Sequence, residues 1–258
     1  MNDTLNEAAT PDPGALAAAL AQEHAADIVE RLNAESPETS SAVLLALPLE
    51  RAAEVLDEPG LDNAAALVEA QPRQRAVALL KAMSADRAAD VFRHLEPAAR
   101  EPLLAEIDPE TRASLAQLLA YPENTAGSIM TTEFVSVPST LTIGETLQHI
   151  RKVERTRETI YAIYVVDSKT KVLLKAVSLR RLMTGAAEDP VLSVALPRQP
   201  ITVRPLTDRE DVGRLISKYD LLAVPVVDRY GHVLGIVTVD DVIDAMIESP
   251  RMCRSSAA

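Results

Sequence analysis

The first half of the chain carries hydrophobic residues at a helical period. Apolar side chains recur at spacings of three and four from about residue 15 to residue 120, as at Leu16, Leu20, Ile28, Val29 and Leu32. Prolines interrupt this pattern repeatedly, and a proline is tolerated at a helix start but breaks the hydrogen-bond ladder inside a helix. We therefore predict a succession of short helices. The interruptions fall at Pro37, Pro48, Pro59, Pro72, Pro97 and Pro109.

Three fragments of this half share one pattern, in which two alanines precede an acid and two apolar residues. They are residues 25–29, 52–56 and 88–92. Alanine pairs let helices approach closely, and a fragment that recurs indicates stacked units, so we predict a small helical bundle or α-solenoid. Residues 1–14, which are polar and contain two prolines and a glycine, are predicted to be a disordered lead-in.

The second half alternates apolar and polar positions with the period of a strand. Residues 160–183 and 221–247 share one order, namely a β-branched strand, a turn, a second strand and the start of a helix. A supersecondary unit that occurs twice is stronger evidence for a fold than any single motif. Each copy is preceded by a short strand and a helix, predicted at residues 135–137 and 143–153 in the first copy and at residues 201–203 and 207–219 in the second.

Composition limits the chemistry that the chain can perform. The single Cys253 excludes an intramolecular disulfide and favours a reducing, cytosolic setting. No apolar run approaches the roughly 18 to 20 residues that a membrane-spanning helix needs. The four histidines are scattered, and the sequence has neither zinc-ligand spacing nor a glycine-rich phosphate loop. We therefore expect a protein that is not an enzyme.

Charge is divided unevenly along the chain. Residues 1–126 carry 22 acidic and 9 basic side chains, a net charge of −13, whereas the remaining residues carry 16 acidic and 17 basic ones. Such an acidic half would repel nucleic acid, so we expect no nucleic-acid partner. Cations or a basic partner would relieve the repulsion, and the alternative is a surface that is acidic only for solubility.

The repeated unit resembles a pair of CBS domains, also called a Bateman module. The match covers nearly all of residues 129–248. The joint before it, YPENTAGSIMT at residues 121–131, follows an acidic, alanine-rich helical region, and in this position it resembles the MgtE family of magnesium transporters or channels. The segments 158–161, 164–167 and 235–244 are also similar to that family.

The resemblance implies a fold class and domain boundaries. The class is α followed by α/β, a helical MgtE N-type domain at residues 15–126 and then CBS units at residues 127–190 and 191–248. A polar tail follows at residues 249–258. The family continues into a membrane pore that this sequence lacks, so we expect either a fragment or a freestanding relative that cannot transport by itself.

The resemblance also implies an adenine-nucleotide site. CBS units that hold a ribose usually place an aspartate three residues after a serine or threonine, and Thr238 and Asp241 keep that spacing in the second unit. Tyr164 and Arg198 are further candidate contacts for ATP or a related nucleotide. The first unit has Arg181 at the aspartate position, and a guanidinium cannot accept from ribose hydroxyls but can pair with phosphate.

Acidic side chains at helical spacing suggest a magnesium site. Asp240, Asp244 and Glu248 recur every four residues and so share one face of the last helix, with Asp241 beside them. Hard divalent cations take carboxylate oxygens, and Mg²⁺ keeps several waters and needs only one or two carboxylates. The alternative is a helix N-cap at Asp240 and a solvated face beyond it.

A second acidic pair, Asp86 and Asp90, lies one helical turn apart in the first half. Glu54 and Asp220 are further candidates on the same grounds. In the MgtE family the helical domain and the CBS pair form a cytosolic sensor, so the resemblance implies that Mg²⁺ bridges the two acidic faces and closes the structure.

Two other functions remain open from the sequence. A freestanding CBS pair could sense ATP or AMP, and a pure interaction scaffold would bind neither ligand. CBS pairs commonly form homodimers, which we expect here through the apolar faces of helices at residues 146–153 and 212–216.

Overall fold

The computed structural model describes residues 12–153 and 160–248, with side chains described as far as Ile243 in the last helix. Most of the predicted lead-in, the Glu158-Thr159 match and the predicted tail lie outside the described residues. The described chain forms two compact units. One runs to Met83 and from Arg87 to Arg112, and the other takes Ser84–Asp86 and continues from Ala113.

The first half is helical, as predicted, with a helix start near most of the prolines. Its helices are α1 (Pro13–Leu20), α2 (Ala25–Asn33), α3 (Pro37–Ala46), α4 (Leu49–Asp57), α5 (Ala64–Glu69), α6 (Arg73–Ala82), α7 (Ala85–His94), α8 (Pro97–Glu106) and α9 (Pro109–Leu119).

Local chemistry explains where these helices begin. Pro37 and Pro97 occupy the first helical turn of α3 and α8, and Pro48 and Pro72 are the N-caps of α4 and α6. The predicted lead-in is too long at its C-terminal end. Asp12 is the N-cap of α1, which begins at Pro13, and its side chain accepts from the Ala15 N–H.

One proline of the helical half lies inside a helix, which was not predicted. Pro102 lies inside α8, where its missing N–H leaves the Ala98 carbonyl without its usual helical donor. Two of the three alanine pairs are buried as predicted, at residues 52–53 and 88–89, whereas Ala25 is half-buried and Ala26 is exposed.

A repeated arginine contact joins helices of the first unit. Each of five arginines near the start of a helix donates to a carbonyl in the turn that follows an earlier helix. They are Arg51 of α4, Arg75 of α6, Arg87 of α7, Arg100 of α8 and Arg112 of α9. The last carbonyls of a helix lack internal partners, and a guanidinium carries five donors and no acceptor. In four cases the sequence is Pro-x-x-Arg, a repeated pattern that was not predicted to have a structural role.

The second unit contains both copies of the repeat. Its elements are α10 (Ala126–Ile129), β1 (Val135–Pro138), α11 (Ile143–Val153), β2 (Ala162–Val166), β3 (Leu173–Ser178), α12 (Leu179–Thr184), α13 (Arg209–Tyr219), β4 (Ala223–Val227), β5 (Val233–Thr238) and α14 (Val239–Glu248), with a short 3₁₀ helix at Val191–Val194. None of the helices among the described residues is both long and apolar enough to cross a bilayer.

The first repeat comprises β1, α11, β2, β3 and α12. Its strands lie in the order β1-β2-β3, with β1 parallel to β2 and β3 antiparallel to it. Alternation along β2 directs Ile163 and Val165 into a core shared with Ile143 and Ile150 of α11, which leaves Tyr164 on the other face of the sheet.

The second repeat comprises α13, β4, β5 and α14. Strands β4 and β5 pair antiparallel, with Ala223 opposite Thr238. The strand predicted at residues 201–203 is wrong as an extended element, because only Val203 forms a bridge, parallel to Val226. Pro200 and Pro205 flank this segment, and proline cannot donate to a ladder. The predicted class, α followed by α/β, is confirmed.

The joint packs against the second repeat. Thr125 and Ser128 form a reciprocal capping box around α10, and the Ala126 and Gly127 N–H groups donate to carbonyls that precede α13. Thr131 then pairs with Ile236 of β5 through both backbone bonds, at 2.9 and 3.0 Å. The chain therefore contacts the second repeat before it enters the first.

Candidate functional site

A cleft of about 260 Å³ opens between the two repeats at the start of β2 and β4. The first repeat contributes Tyr164, Ser178 and Arg181, and the second contributes Pro225. The connector between the repeats supplies Arg198. The cleft therefore depends on the pairing of two copies of one unit, and it combines apolar walls with two guanidinium groups.

The most distinctive polar group in this cleft is the hydroxyl of Tyr164. The side chain is 1% exposed, and its ring packs edge-on against Phe134 at 5.9 Å between centroids. The hydroxyl oxygen is buried and makes no hydrogen bond to any described residue. Burial raises the pKa of Tyr164 well above its usual value. An unsatisfied buried hydroxyl is costly, so a ligand that reaches it gains a hydrogen bond.

Backbone contacts hold the cationic side of the cleft in place. Lys175 on β3 donates to the carbonyls of Pro197 and Arg198 at 2.9 and 3.0 Å, which fixes the connector. Arg181 donates to the Val194 carbonyl at 3.2 Å and keeps further donors for a ligand. Asp220, which ends α13 in a left-handed conformation, adds one carboxylate to the cleft lining.

The structure separates the four predicted nucleotide contacts. Tyr164 and Arg198 line the cleft, but Thr238 and Asp241 do not. Asp241 instead accepts from the Thr238 N–H at 2.9 Å and from its hydroxyl at 2.5 Å, so its carboxylate binds the residue that precedes α14.

Among the candidate metal ligands of the helical half, two form ion pairs. Glu54 pairs with Arg51, and Asp90 pairs with Arg87 at 3.3 Å and with His94 at 3.7 Å. Asp86 is nearly buried in the first turn of α7 and takes part in a further interaction.

The candidates of the second unit are more varied. Asp240 is exposed in the first turn of α14, whereas Asp241 is engaged by Thr238. Asp244 and Glu248 continue the same helix, and their side chains lie outside the described ones. Within the described residues, no group of three or more His, Cys, Asp or Glu side chains converges as a metal site.

The helix faces predicted for dimerisation are already occupied, which corrects that part of the prediction. Thr146 and Ile150 of α11 and Val212 and Ile216 of α13 are buried within this chain. Amphipathic helices of this kind direct their apolar stripe into their own core. Homodimerisation itself stays a prediction and requires another surface, such as the groove between α13 and α14 where Ile243 is half exposed.

Family models match both halves of the chain. The MgtE intracellular N domain matches residues 23–124, and the CBS domain matches residues 126–188 and 194–248. The chain is 42% identical over 154 residues to the magnesium transporter MgtE of Thermus thermophilus, and 42% identical over 137 residues to that of Enterococcus faecalis. These alignments cover 60% and 53% of this chain. They cover 34% and 30% of the relatives, so the chain spans about a third of the length of the curated relatives it matches.

Solved structures extend the similarity to most of the chain. The cytosolic domain of the Mg²⁺ channel MgtE in complex with ATP is 37% identical, with a TM-score of 0.84, and the match covers 91% of this chain and 95% of that one. The soluble part of a magnesium transporter is 29% identical, with a TM-score of 0.75, and covers 91% of this chain and 97% of that one.

Proposed function

The chain belongs to the MgtE family, and we propose that it is the magnesium-responsive regulatory region of a transporter or channel of this kind. Its N-type helical domain and its CBS pair stand in the order found in the cytosolic domain of the solved MgtE channel. On this proposal the chain works at the cytoplasmic side of a membrane, and a pore-forming part that is not in this sequence carries the ion.

The observation that carries the proposal is the confinement of excess negative charge to the helical half. That half has a net charge of −13, in which Arg51 and Arg87, the ion-pair partners of Glu54 and Asp90, are already counted. Asp240 presents an exposed carboxylate on α14. A hydrated Mg²⁺ ion needs only one or two carboxylates, which suits a weak site near cellular magnesium concentrations.

The proposed mechanism follows from Coulomb repulsion. Without divalent cations, the acidic helical half and the acidic face of α14 repel each other. Mg²⁺ that bridges Asp86 and Asp90 to the α14 face, where Asp240 is the exposed carboxylate, draws the two halves together. This closed form would hold a connected pore shut.

Small-angle scattering with and without Mg²⁺ tests this mechanism. We expect the radius of gyration to fall when Mg²⁺ replaces an equal ionic strength of Na⁺, and the melting temperature to rise, because a ligand of the folded, closed form stabilises it. The double substitution Asp90→Asn and Asp240→Asn should abolish the compaction.

The matched control removes the same charge elsewhere. Asp27 and Asp211 are exposed acids in the first turns of α2 and α13. Asp27→Asn combined with Asp211→Asn should leave the compaction intact. Equal loss in both double variants would assign the effect to net charge, and compaction that survives in the Asp90 and Asp240 variant would exclude a bridge at these residues.

A second candidate function, nucleotide sensing, is favoured by the cleft between the repeats. The buried Tyr164 hydroxyl offers an unused hydrogen bond, and Arg181 and Arg198 suit phosphate oxygens. The solved relative was crystallised with ATP. We propose that this cleft, rather than the Thr238 and Asp241 pair, receives the nucleotide.

Calorimetry separates the contributions to nucleotide binding. We expect ATP to bind more tightly than AMP or adenosine, because two guanidinium groups meet the phosphates. Arg181→Gln and Arg198→Gln should each weaken ATP binding by about tenfold, which corresponds to one charge-assisted hydrogen bond of ~1.5 kcal/mol. Arg214→Gln, which removes an exposed arginine of α13, is the control and should leave the affinity unchanged. Equal affinity for adenosine and ATP would contradict the phosphate assignment.

A further inference from the structure

The turns of the two hairpins touch each other at the end of β2 and β4 opposite to the cleft. The first turn, residues 167–172, follows β2, and the second, residues 228–232, follows β4. Val172 and His232 form an antiparallel bridge, and the Leu173 N–H donates to the Gly231 carbonyl at 2.9 Å. Equivalent points of the two repeats are therefore joined directly.

The imidazole of His232 spans this junction. Its Nδ1 lies 2.9 Å from Oδ2 of Asp228 in its own turn, and its Nε2 lies 3.0 Å from the Thr170 carbonyl oxygen in the other turn. A carboxylate and a carbonyl both act only as acceptors. A neutral imidazole carries one N–H, so only the imidazolium can donate both bonds at once.

We propose that His232 is a proton-operated clasp between the two repeats. When the ring is charged, it ties the second turn to the first. When it loses a proton, the remaining N–H stays with the Asp228 carboxylate, because a hydrogen bond to an ionised acceptor is the stronger of the two. The bond that is lost is then the one from Nε2 to Thr170, which crosses between the repeats.

The two turns and the segment before α13 carry further charged groups. The first turn carries Asp167, Lys169 and Lys171, and the second carries Asp228, Arg229 and the Tyr230 phenol. Arg204, which precedes α13, donates to the carbonyls of Val227 and Asp228. The cations oppose the charged ring, while Asp228 contacts it directly and favours the charge.

The Thr170 carbonyl is held ready for this bond. The Asp167 carboxylate accepts from the Lys169 N–H, the Thr170 N–H and the Thr170 hydroxyl, at 2.7 to 3.0 Å. These bonds fix the backbone of the first turn, so the acceptor does not have to be ordered when the ring becomes charged. The clasp is therefore preorganised on both sides.

The ionisation equilibria agree with this geometry. The hydrogen bond with Asp228 raises the pKa of His232, against partial desolvation. Desolvation acts to raise the pKa of Asp228, but bonds from the His232 N–H and ring and from the Tyr230 N–H outweigh it and lower the pKa to about 2. The contribution of the clasp to stability is thus fully present between about pH 4 and pH 6.5, the ordinary aspartate and histidine values, and the histidine part is lost as the pH rises through the raised pKa.

Nitrogen-15 NMR of the imidazole rings in the full chain tests the clasp without any variant. Below the midpoint both ring nitrogens of His232 should be protonated. Above it Nε2 should lose its proton while Nδ1 keeps it. The backbone signals of Thr170 and Lys171 should shift with the same midpoint, although they belong to the other repeat.

Variants then connect the clasp to stability. His232→Gln should flatten the dependence of the melting temperature on pH between about pH 6 and pH 8, near the ordinary histidine value. His24→Gln replaces an exposed imidazole that makes no capping bond, and it should leave that dependence in place. Asp228→Asn should lower the midpoint of the His232 titration.

Two outcomes would overturn the proposal. One is that Nδ1 rather than Nε2 loses its proton, which would leave the bond between the repeats intact at high pH. The other is that Thr170 and Lys171 do not follow the titration, which would reduce His232 to a contact within its own turn.

Discussion

The two CBS repeats have the same order of elements but carry different side chains at equivalent positions. Tyr164 of the first repeat and Pro225 of the second are equivalent, since each lies three residues before the aspartate of its turn. Arg181 and Asp241 are also equivalent, since each is the third residue of the helix that follows the hairpin. In the first repeat these positions face the cleft with an unsatisfied hydroxyl and a guanidinium. In the second, the Asp241 carboxylate accepts from the Thr238 N–H and hydroxyl.

This difference suggests that the two CBS repeats have different roles. The second repeat binds its Asp241 carboxylate to Thr238 and is approached closely by the joint at Thr131. The first repeat places the Arg181 guanidinium, which keeps further donors, in the lining of the cleft. We infer that the second repeat mainly stabilises the module and that the first mainly recognises the ligand, and substitutions at matched positions can test the inference.

The largest effect is expected at Gly235, where the joint approaches the second repeat. A Cβ at this position would lie 2.7 Å from the Thr131 carbonyl oxygen and 2.8 Å from Sδ of Met130, which is fully buried. Gly235→Ala should therefore lower the free energy of unfolding by about 1–3 kcal/mol, the usual cost of overpacking. Chemical denaturation monitored by circular dichroism measures this change.

A second glycine provides the control for that substitution. A Cβ at Gly60, in the helical unit, would meet only a methyl group of Val29, at 3.8 Å. Gly60→Ala should be neutral or stabilising by up to ~1 kcal/mol, because it restricts the unfolded chain without a clash. Similar losses in both variants would show that backbone freedom, and not the approach of the joint, explains the need for Gly235.

Much of the fold could be predicted from local sequence. The period of apolar residues predicted α11 at residues 143–153, where the structure places it, and prolines marked the starts of α3 and α8. These features depend on neighbours a few residues away. The segment at residues 201–203 was overestimated as a strand, because a short β-branched run does not reveal whether a partner strand lies beside it.

The candidate site was harder to predict because it is assembled from distant segments. Tyr164 and Arg198 were named from the family pattern, but their position in one cleft with Arg181 depends on how the two repeats pair. The role of Asp241 was hard to predict for the same reason, since one spacing suits both a ribose contact and hydrogen bonds to Thr238 at the start of a helix. The Pro-x-x-Arg repeat is visible in the sequence, but its role is evident only from the structure, which shows the carbonyls that accept hydrogen bonds from each arginine.

The next largest effect should come from the hydrogen bonds between Thr238 and Asp241 at the start of α14. Thr238→Ala removes the hydroxyl that binds Asp241 and should lower the free energy of unfolding by about 0.5–2 kcal/mol. Ser178 holds the equivalent position before α12 and makes no capping bond with its side chain. Ser178→Ala should change stability by less than ~0.5 kcal/mol. Equal costs in thermal unfolding would remove this contrast between the repeats.

A smaller effect of opposite sign is expected at Tyr164. Tyr164→Phe removes a buried hydroxyl that has no hydrogen-bond partner among the described residues, so it should raise the free energy of unfolding by up to ~1 kcal/mol in the absence of ligand. The same change should weaken ATP binding, because the nucleotide loses that hydroxyl. Denaturation and calorimetry on one variant measure both. Loss of stability together with unchanged ATP affinity would show that the hydroxyl serves the fold and not the ligand.

The smallest effects concern the two turn aspartates, and they distinguish the repeats most finely. Hydrogen bonds from the Thr170 N–H and hydroxyl and from the Lys169 N–H lower the pKa of Asp167, and the pKa of Asp228 is lowered to about 2 although desolvation opposes the shift. Each carboxylate therefore contributes stability that is fully present above about pH 4, the ordinary aspartate value, and is lost as the pH falls through its lowered pKa.

Asp167→Asn and Asp228→Asn should each reduce the loss of melting temperature between about pH 4 and pH 2. Only Asp228→Asn should also change the curve above about pH 6, because only Asp228 contacts a histidine. The measurement is the melting temperature across this range for both variants beside the unaltered chain. If Asp167→Asn altered the upper part of the curve equally, the first turn would take part in the histidine titration through its own carboxylate, and the difference between the repeats would not depend on His232.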